Sequence, residues 1–174
     1  MTLVLATQAG ENAVILAADS RGMTLGSSGE FVPYRLPVRE LFARNGCGIL
    51  TFGGRTSVPE TIAAKLPSAA GLLEAVGFME REFLVREGVH AIVAGLDAGD
   101  PQIWHVHKGD RYRLASPLGQ PNMLYFNQGD QIEKIYPQAS EDHGVIISQM
   151  LGMLRERTDS SSIGPPFTVL VISE

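Results

Sequence analysis

The chain has 174 residues, 44% of them hydrophobic and 19% charged, with a formal net charge of −5. That size and composition suit one globular domain over residues 1–174 with room for a sizeable core. The acidic balance, without a basic cluster, argues against nucleic acid as a partner, because phosphate binding needs concentrated positive charge.

Two strand-like apolar runs open the sequence, Thr2 to Thr7 and Ala13 to Ala18, on either side of the turn residues Gly10 and Asn12. Their near-continuous apolar character points to a sheet covered on both faces. Gly22 to Gly29 reads as a Gly/Ser-rich loop, and the Pro-interrupted stretch Val32 to Phe42 as an edge or irregular strand. Gly48 to Phe52 reads as a buried strand ending at the turn Gly53-Gly54. Leu72, Leu73, Val76, Met79 and Phe83 recur at helical spacing, and Gly88 is placed to end that helix. A strand pair, His90 to Asp97 and Gln102 to His107, follows around the turn Ala98-Gly99-Asp100-Pro101, with a third strand at Arg111 to Ala115. Ile147, Met150, Leu151 and Leu154 mark a second amphipathic helix with Ser140 as its N-cap, and Pro166 to Ser173 closes the chain as a strand. Strands and helices are segregated rather than alternating, which favours helices packed on antiparallel sheets over a βαβ fold.

The single cysteine, Cys47, excludes an internal disulfide and fits a reducing compartment; its apolar neighbours make it a buried structural thiol. No segment reaches the roughly 18 apolar residues of a membrane span, and the start lacks a basic signal region. The expectation is a cytoplasmic protein with no membrane contact.

Thr2 carries the sharpest chemistry. It follows Met1, and a small residue there permits removal of the methionine. A free Thr2 would hold a hydroxyl nucleophile and its own base, an α-amine with a reference pKa of about 7.7–8.0.

Five stretches resemble a proteasome β-type subunit, a bacterial proteasome-like N-terminal nucleophile (Ntn) hydrolase. They are Thr2-Leu3-Val4, Ala17-Ala18-Asp19-Ser20-Arg21, Phe52-Gly53-Gly54-Arg55-Thr56, the pair Ala94 to Asp97 and Ile103 to Val106 with Gly109, and Thr158 to Gly164 with its Asp-x-x-Ser-x-Gly pattern. The resemblance implies an α+β fold, a four-layer αββα sandwich of two antiparallel sheets flanked by helices. It also implies threonine-type peptide-bond hydrolysis inside a homo-oligomeric ring, acting on a polypeptide substrate, served by an ATPase unfoldase and needing no cofactor or metal.

In that reading Thr2 attacks the scissile carbonyl, and Asp19 holds a cationic partner and tunes the local field. A backbone N–H at Gly53 or Gly54 stabilises the oxyanion, and Asp159 with Ser162 orients the amine. Read without the resemblance, Asp19-Ser20 simply ends a strand and Gly53-Gly54 is an ordinary turn.

The sequence departs from the family in three places. The family's lysine beside the nucleophile is missing: the chain has only Lys65, Lys108 and Lys134, and Arg35 and Arg39 flank the corresponding position. Arginine supplies charge there but does not give up its proton. The family's Gly-Ser-Gly stretch corresponds to Asn127-Gln128-Gly129. The register of the first hairpin leaves either Met1 or Thr2 at the nucleophile position. A non-catalytic ring or scaffold subunit is therefore the alternative function.

Other residues support blander readings. His105 and His107 share one strand face, read as solvated rather than metal-binding because no acidic or thiol ligand sits at suitable spacing. His90 and His143 read as isolated surface or cap residues. Met79, Met150 and Met153 read as core or subunit-interface filler.

Overall fold

A computed structural model describes residues 3–20, 23–25, 27–28, 31–33, 41–44, 46–53, 64–67, 69–83, 89–114, 122–125, 140–158 and 164–174. The first hairpin forms as its apolar runs require, with β1 (Leu3–Gln8) antiparallel to β2 (Ala13–Asp19). β11 (Phe167–Ser173) adds to the free side of β2, and β10 (Asn122–Tyr125) to the free side of β1, giving a four-stranded sheet ordered β10-β1-β2-β11. A second sheet of five strands runs β5 (Leu41–Arg44), β6 (Cys47–Gly53), β7 (Val89–Asp97), β8 (Asp100–His107) and β9 (Asp110–Leu114) in spatial order. The remaining strands, β3 (Met23–Leu25) and β4 (Phe31–Pro33), form a separate two-stranded ribbon. Two expectations change here. Met23–Leu25 is a strand inside the stretch read as loop, and the Val32 to Phe42 run holds parts of two strands, with residues 34–40 outside the described set.

The large sheets pack face to face. Val4, Ala6, Leu16 and Ala18 of the first meet Leu50, Ile92, Ala94 and Ile103 of the second in one buried cluster. Because strand side chains alternate, β1 and β2 carry a second apolar set on the opposite face. Leu3, Leu5, Ile15 and Ala17 receive Ile146, Met150 and Leu154 of α2 (His143–Glu156), spaced at i, i+4 and i+8. On the far face of the five-stranded sheet, Leu72, Ala75, Val76 and Met79 of α1 (Leu72–Phe83) pack on Ile49, Ala91, Val93 and Val106. Leu73, expected on the apolar stripe of α1, instead faces solvent at 46% exposure. The N-cap of α2 is Asp142 rather than Ser140: its Oδ1 accepts from the amides of Gly144 and Val145, at 2.7 and 3.2 Å, while Ser140 Oγ accepts from Asp142.

The expected four-layer αββα sandwich is thus corrected. Among the described residues the protein is mostly β, two large antiparallel sheets with two whole helices, one lying against the outer face of each. The reason is coverage. Five strands at about 4.8 Å spacing present a face some 20 Å wide, while one helix with its side chains is about 10 Å across. The one whole helix described on each face covers a stripe of it. No helix among the described residues is long and apolar enough to cross a membrane.

Two contacts fix how the sheets are oriented. Gln8 Nε2 donates to the carbonyl of Pro101, and Gly99 sits against the Glu174 carboxylate. The β7–β8 turn therefore lies at the β1–β2 turn end of the molecule. Further along, Gly48 abuts Leu16 so closely that an added Cβ would fall 2.5 Å from its Cδ1. From Gln8 back to Leu3, and from Pro101 on to His107, both sheets run about 17–20 Å at about 3.3 Å per residue. Sheets packed face to face keep their strands within about 30° of alignment. Leu3, Asp19, Gly53, Val89 and His107 thus share the opposite end.

Candidate functional site

The β1–β2 register sets the local chemistry at this end. Val4 pairs with Ala18, so Asp19 stands beside Leu3. Its side chain is 1% exposed, and both carboxylate oxygens accept backbone hydrogen bonds. The Leu3 amide donates to Oδ1 at 2.9 Å and the Gly164 amide to Oδ2 at 3.2 Å. The Leu3 amide belongs to the peptide bond that joins it to Thr2. Asp19 therefore ties three segments together: the start of the chain, the end of β2, and the approach to β11, whose Phe167 is the cross-strand partner of Asp19. Hydrogen bonds of this kind, with an ionised acceptor, are roughly twice as strong as neutral ones.

Of the other sequence-derived candidates, Gly53 is the last residue of β6, opposite Val89, in the facing sheet at the same end. Thr2, Gly54, Asp159 and Ser162 lie outside the described residues, as do Arg21, Arg35, Arg39 and Asn127 to Gly129. Gly164 is nevertheless two residues after Ser162, so the Asp19 contact draws the end of that stretch to the foot of β1. Lys65 is a surface residue 3.8 Å from Glu82, and Lys108 sits in the β8–β9 turn.

Cys47 lies in the core under α1, where burial pushes its thiol from the ordinary 9.0 up to about 11. Near neutral pH it stays protonated and unreactive. Native protein should resist a thiol-specific reagent at pH 7.5 and react stoichiometrically once unfolded in urea. Fast labelling of the native state would contradict this placement. Because the folded thiol holds its proton more tightly than the unfolded one, this group also makes stability fall as pH rises from about 9 toward 11.

The site end holds one cluster that reading along the chain missed. His90 and His107 are cross-strand partners, and His105 lies one pair further along the same face. His90 and His105 are 2% and 5% exposed. His90 Nδ1 lies 3.1 Å from His105 Nε2, and the rings of His90 and His107 stack with centroids 3.8 Å apart. The expectation of a solvated strand face for His105, and of an isolated surface or cap His90, is thereby overturned, while His107 is half-buried. Among the described residues, no group of three or more His, Cys, Asp or Glu is arranged to hold a metal ion.

Two antiparallel sheets face to face, with the N-terminal strand inside one of them, define the class of fold. Comparison with solved structures agrees: a mutant of Anbu from Hyphomicrobium sp. strain MC1 superposes with a TM-score of 0.60 over 99% of this chain and 82% of that one, at 14% identity. Likeness at that identity shows the fold alone. No family model matches the chain, and no curated protein matches it. The assignment to proteasome β-type subunits drawn from the five sequence stretches is therefore corrected. Short glycine- and aspartate-containing stretches at strand ends recur wherever a sheet needs tight turns and tethers, so they report the fold before they report a family.

Proposed function

We propose that the chain is an N-terminal-threonine hydrolase that cleaves peptide bonds in polypeptides, with Thr2 exposed by removal of Met1. The observation that carries this reading is the Asp19 carboxylate, buried and hydrogen-bonded to the amide that follows Thr2. Holding the Leu3 amide anchors the start of β1 beside the end of β2, which limits the conformational search of the residue proposed to react. A carboxylate close to the α-amine would favour its protonated form, making it a stronger base.

In the reaction the hydroxyl oxygen bonds to the substrate carbonyl carbon while its proton passes to the α-amine. The oxyanion is stabilised by backbone N–H groups, with the Gly53-Gly54 turn as the candidate donor. Collapse breaks the C–N bond, and the leaving amine takes the proton. Water then attacks the resulting ester, returning the threonine hydroxyl and releasing the acid. The intact mass of the purified protein should fall short of the encoded chain by one methionine residue, with hydrolysis of a fluorogenic peptide. Thr2→Ala should lower turnover by about 10⁴-fold or more, as loss of a catalytic nucleophile does elsewhere. Activity surviving in that variant would remove Thr2 from the mechanism.

A second reading, a non-catalytic scaffold subunit of a ring, rests on the same carboxylate. Both Asp19 oxygens bond backbone amides, which is what a purely structural tether requires. Retained Met1 together with no turnover would favour it. Assembly into a homo-oligomeric ring, service by an ATPase unfoldase and a cytoplasmic location belong to both proposals. A monomeric mass by light scattering at micromolar concentration would count against the ring in either form.

A further inference from the structure

We infer that whatever precedes Thr2 is trimmed before β1 takes its place in the sheet. The free Thr2 amine is then supplied by an aminopeptidase acting on the nascent or unfolded chain, not on the folded protein. The inference rests on the proposed hydrolase for its purpose, but trimming is read by mass and is tested apart from turnover.

The supplying reaction is a hydrolysis. Water adds to the Met1 carbonyl carbon, the C–N bond to Thr2 breaks, and the nitrogen takes a proton, leaving free methionine and a new α-amine. The enzyme that does this has to enclose the chain end, because such sites are concave and align the scissile bond against their own groups. The Met1–Thr2 bond lies within two residues of Leu3, about 7 Å at most along an extended chain.

Leu3 is where the fold closes that approach. Its side chain is fully buried, among Ile15 and Ala17 of β2 and Ile146, Met150 and Leu154 of α2. Its backbone is held on both flanks. Tyr125 of β10 is its cross-strand partner, and on the β2 side its amide donates to Asp19 Oδ1 at 2.9 Å. Drawing the strand start into another enzyme's cleft would strip that amide from a carboxylate 1% exposed, whose other oxygen accepts from Gly164. A folded chain is cut only from the fraction opened at the cut site, so a bond this close to the core is trimmed slowly.

The same contacts leave a window during synthesis. Asp19 is 16 residues from Leu3, but Tyr125, Met150 and Gly164 come far later in the chain. Leu3 is therefore enclosed only after most of the polypeptide has been made, since non-local contacts wait for the chain between them. A copy that completes β10, α2 and β11 with Met1 attached becomes a folded form without the amine. Folding, rather than later processing, divides competent copies from blocked ones.

The test uses the full chain with Met1 retained, made by cell-free synthesis with aminopeptidase inhibited, then freed of inhibitor. It is offered purified methionine aminopeptidase at pH 7.5, and intact mass follows the loss of one methionine. A synthetic peptide of residues 1–8 gives the rate without a fold. The folded chain should be trimmed about thirtyfold or more slowly than the peptide, and a smaller difference overturns the inference. Asp19→Asn, which weakens the tether at nearly constant size, should be trimmed about threefold or more faster than wild type. An unchanged rate would overturn the part given to Asp19, and the comparison with the peptide stands even if that variant does not fold. Thr2→Ala, with a small residue after Met1 and no nucleophile, should resist trimming as wild type does. If folded wild type loses Met1 with no aminopeptidase added while Thr2→Ala keeps it, the chain frees its own amine and the inference is overturned. Trimmed protein that hydrolyses no peptide would sink the hydrolase reading and leave the measured order of trimming and folding intact.

Discussion

Replacing Asp19 by alanine should lower the unfolding free energy by about 2–5 kcal/mol at pH 7. The substitution strips the acceptor from two backbone amides, Leu3 and Gly164, in a position only 1% exposed. Each buried donor left unsatisfied costs about 1–3 kcal/mol. Against a total of about 5–15 kcal/mol for an ordinary domain, that is a large fraction. An asparagine side chain at the same position would keep one acceptor oxygen and turn an NH₂ group toward the other amide. Asp19→Asn should therefore fall between wild type and Asp19→Ala. Hydrogen exchange offers a local check. The Leu3 and Gly164 amides should lose protection in the alanine variant well before those of β7. A loss under about 1 kcal/mol with unchanged protection would mean that water replaces the carboxylate at little cost, and the tether would not be structural.

The second large effect is expected at Gly95. A Cβ there would lie 2.8 Å from the carbonyl oxygen of Gly46 and 3.0 Å from Cys47 Cβ. The first obstacle is backbone in the β5–β6 turn, so no rotamer change relieves it. Gly95→Val should therefore cost about 3 kcal/mol or more, the upper part of the range for overpacking a core. Gly152 in α2 supplies the control. A Cβ at that position meets nothing within 4 Å, and alanine is favoured over glycine in a helix interior. Gly152→Ala should raise stability by about 0.8–1 kcal/mol. Matched urea titrations of the two variants would test both signs. Near-equal stability of Gly95→Val and wild type would show that the β5–β6 turn can move away from β7.

The two effects differ in origin, and so does their legibility. Asp19 stands out in the sequence because a lone acid at the end of the apolar run Ala13 to Ala18 needs a reason. Its partners do not stand out, since Gly164 is 145 residues away. Gly95 reads as an interruption within a strand, and only the approach of the neighbouring turn explains it.

Sequence by itself determined the periodic parts. β1, β2, β6, β7, β11 and both helices were legible, because burial on one or both faces imposes a repeat that composition cannot hide. Register was not legible, and the histidines show why. A turn spanning Ala98 to Pro101 would pair Asp97 with Gln102 and leave His90 beyond the end of the partner strand. In the structure the turn has two residues, Ala98 and Gly99, both with positive φ at 51° and 84°, and Asp97 pairs with Asp100. That pattern matches the twist of a hairpin better than a longer turn does. A shift of two residues keeps every side chain on its face yet changes its partner, bringing His90 opposite His107. Periodicity therefore supplied the faces, while only tertiary structure decided which residues meet across them. Which apolar face of a sheet each described helix covers was settled the same way, because a sequence fixes an apolar face by its own pattern but not the surface laid against it.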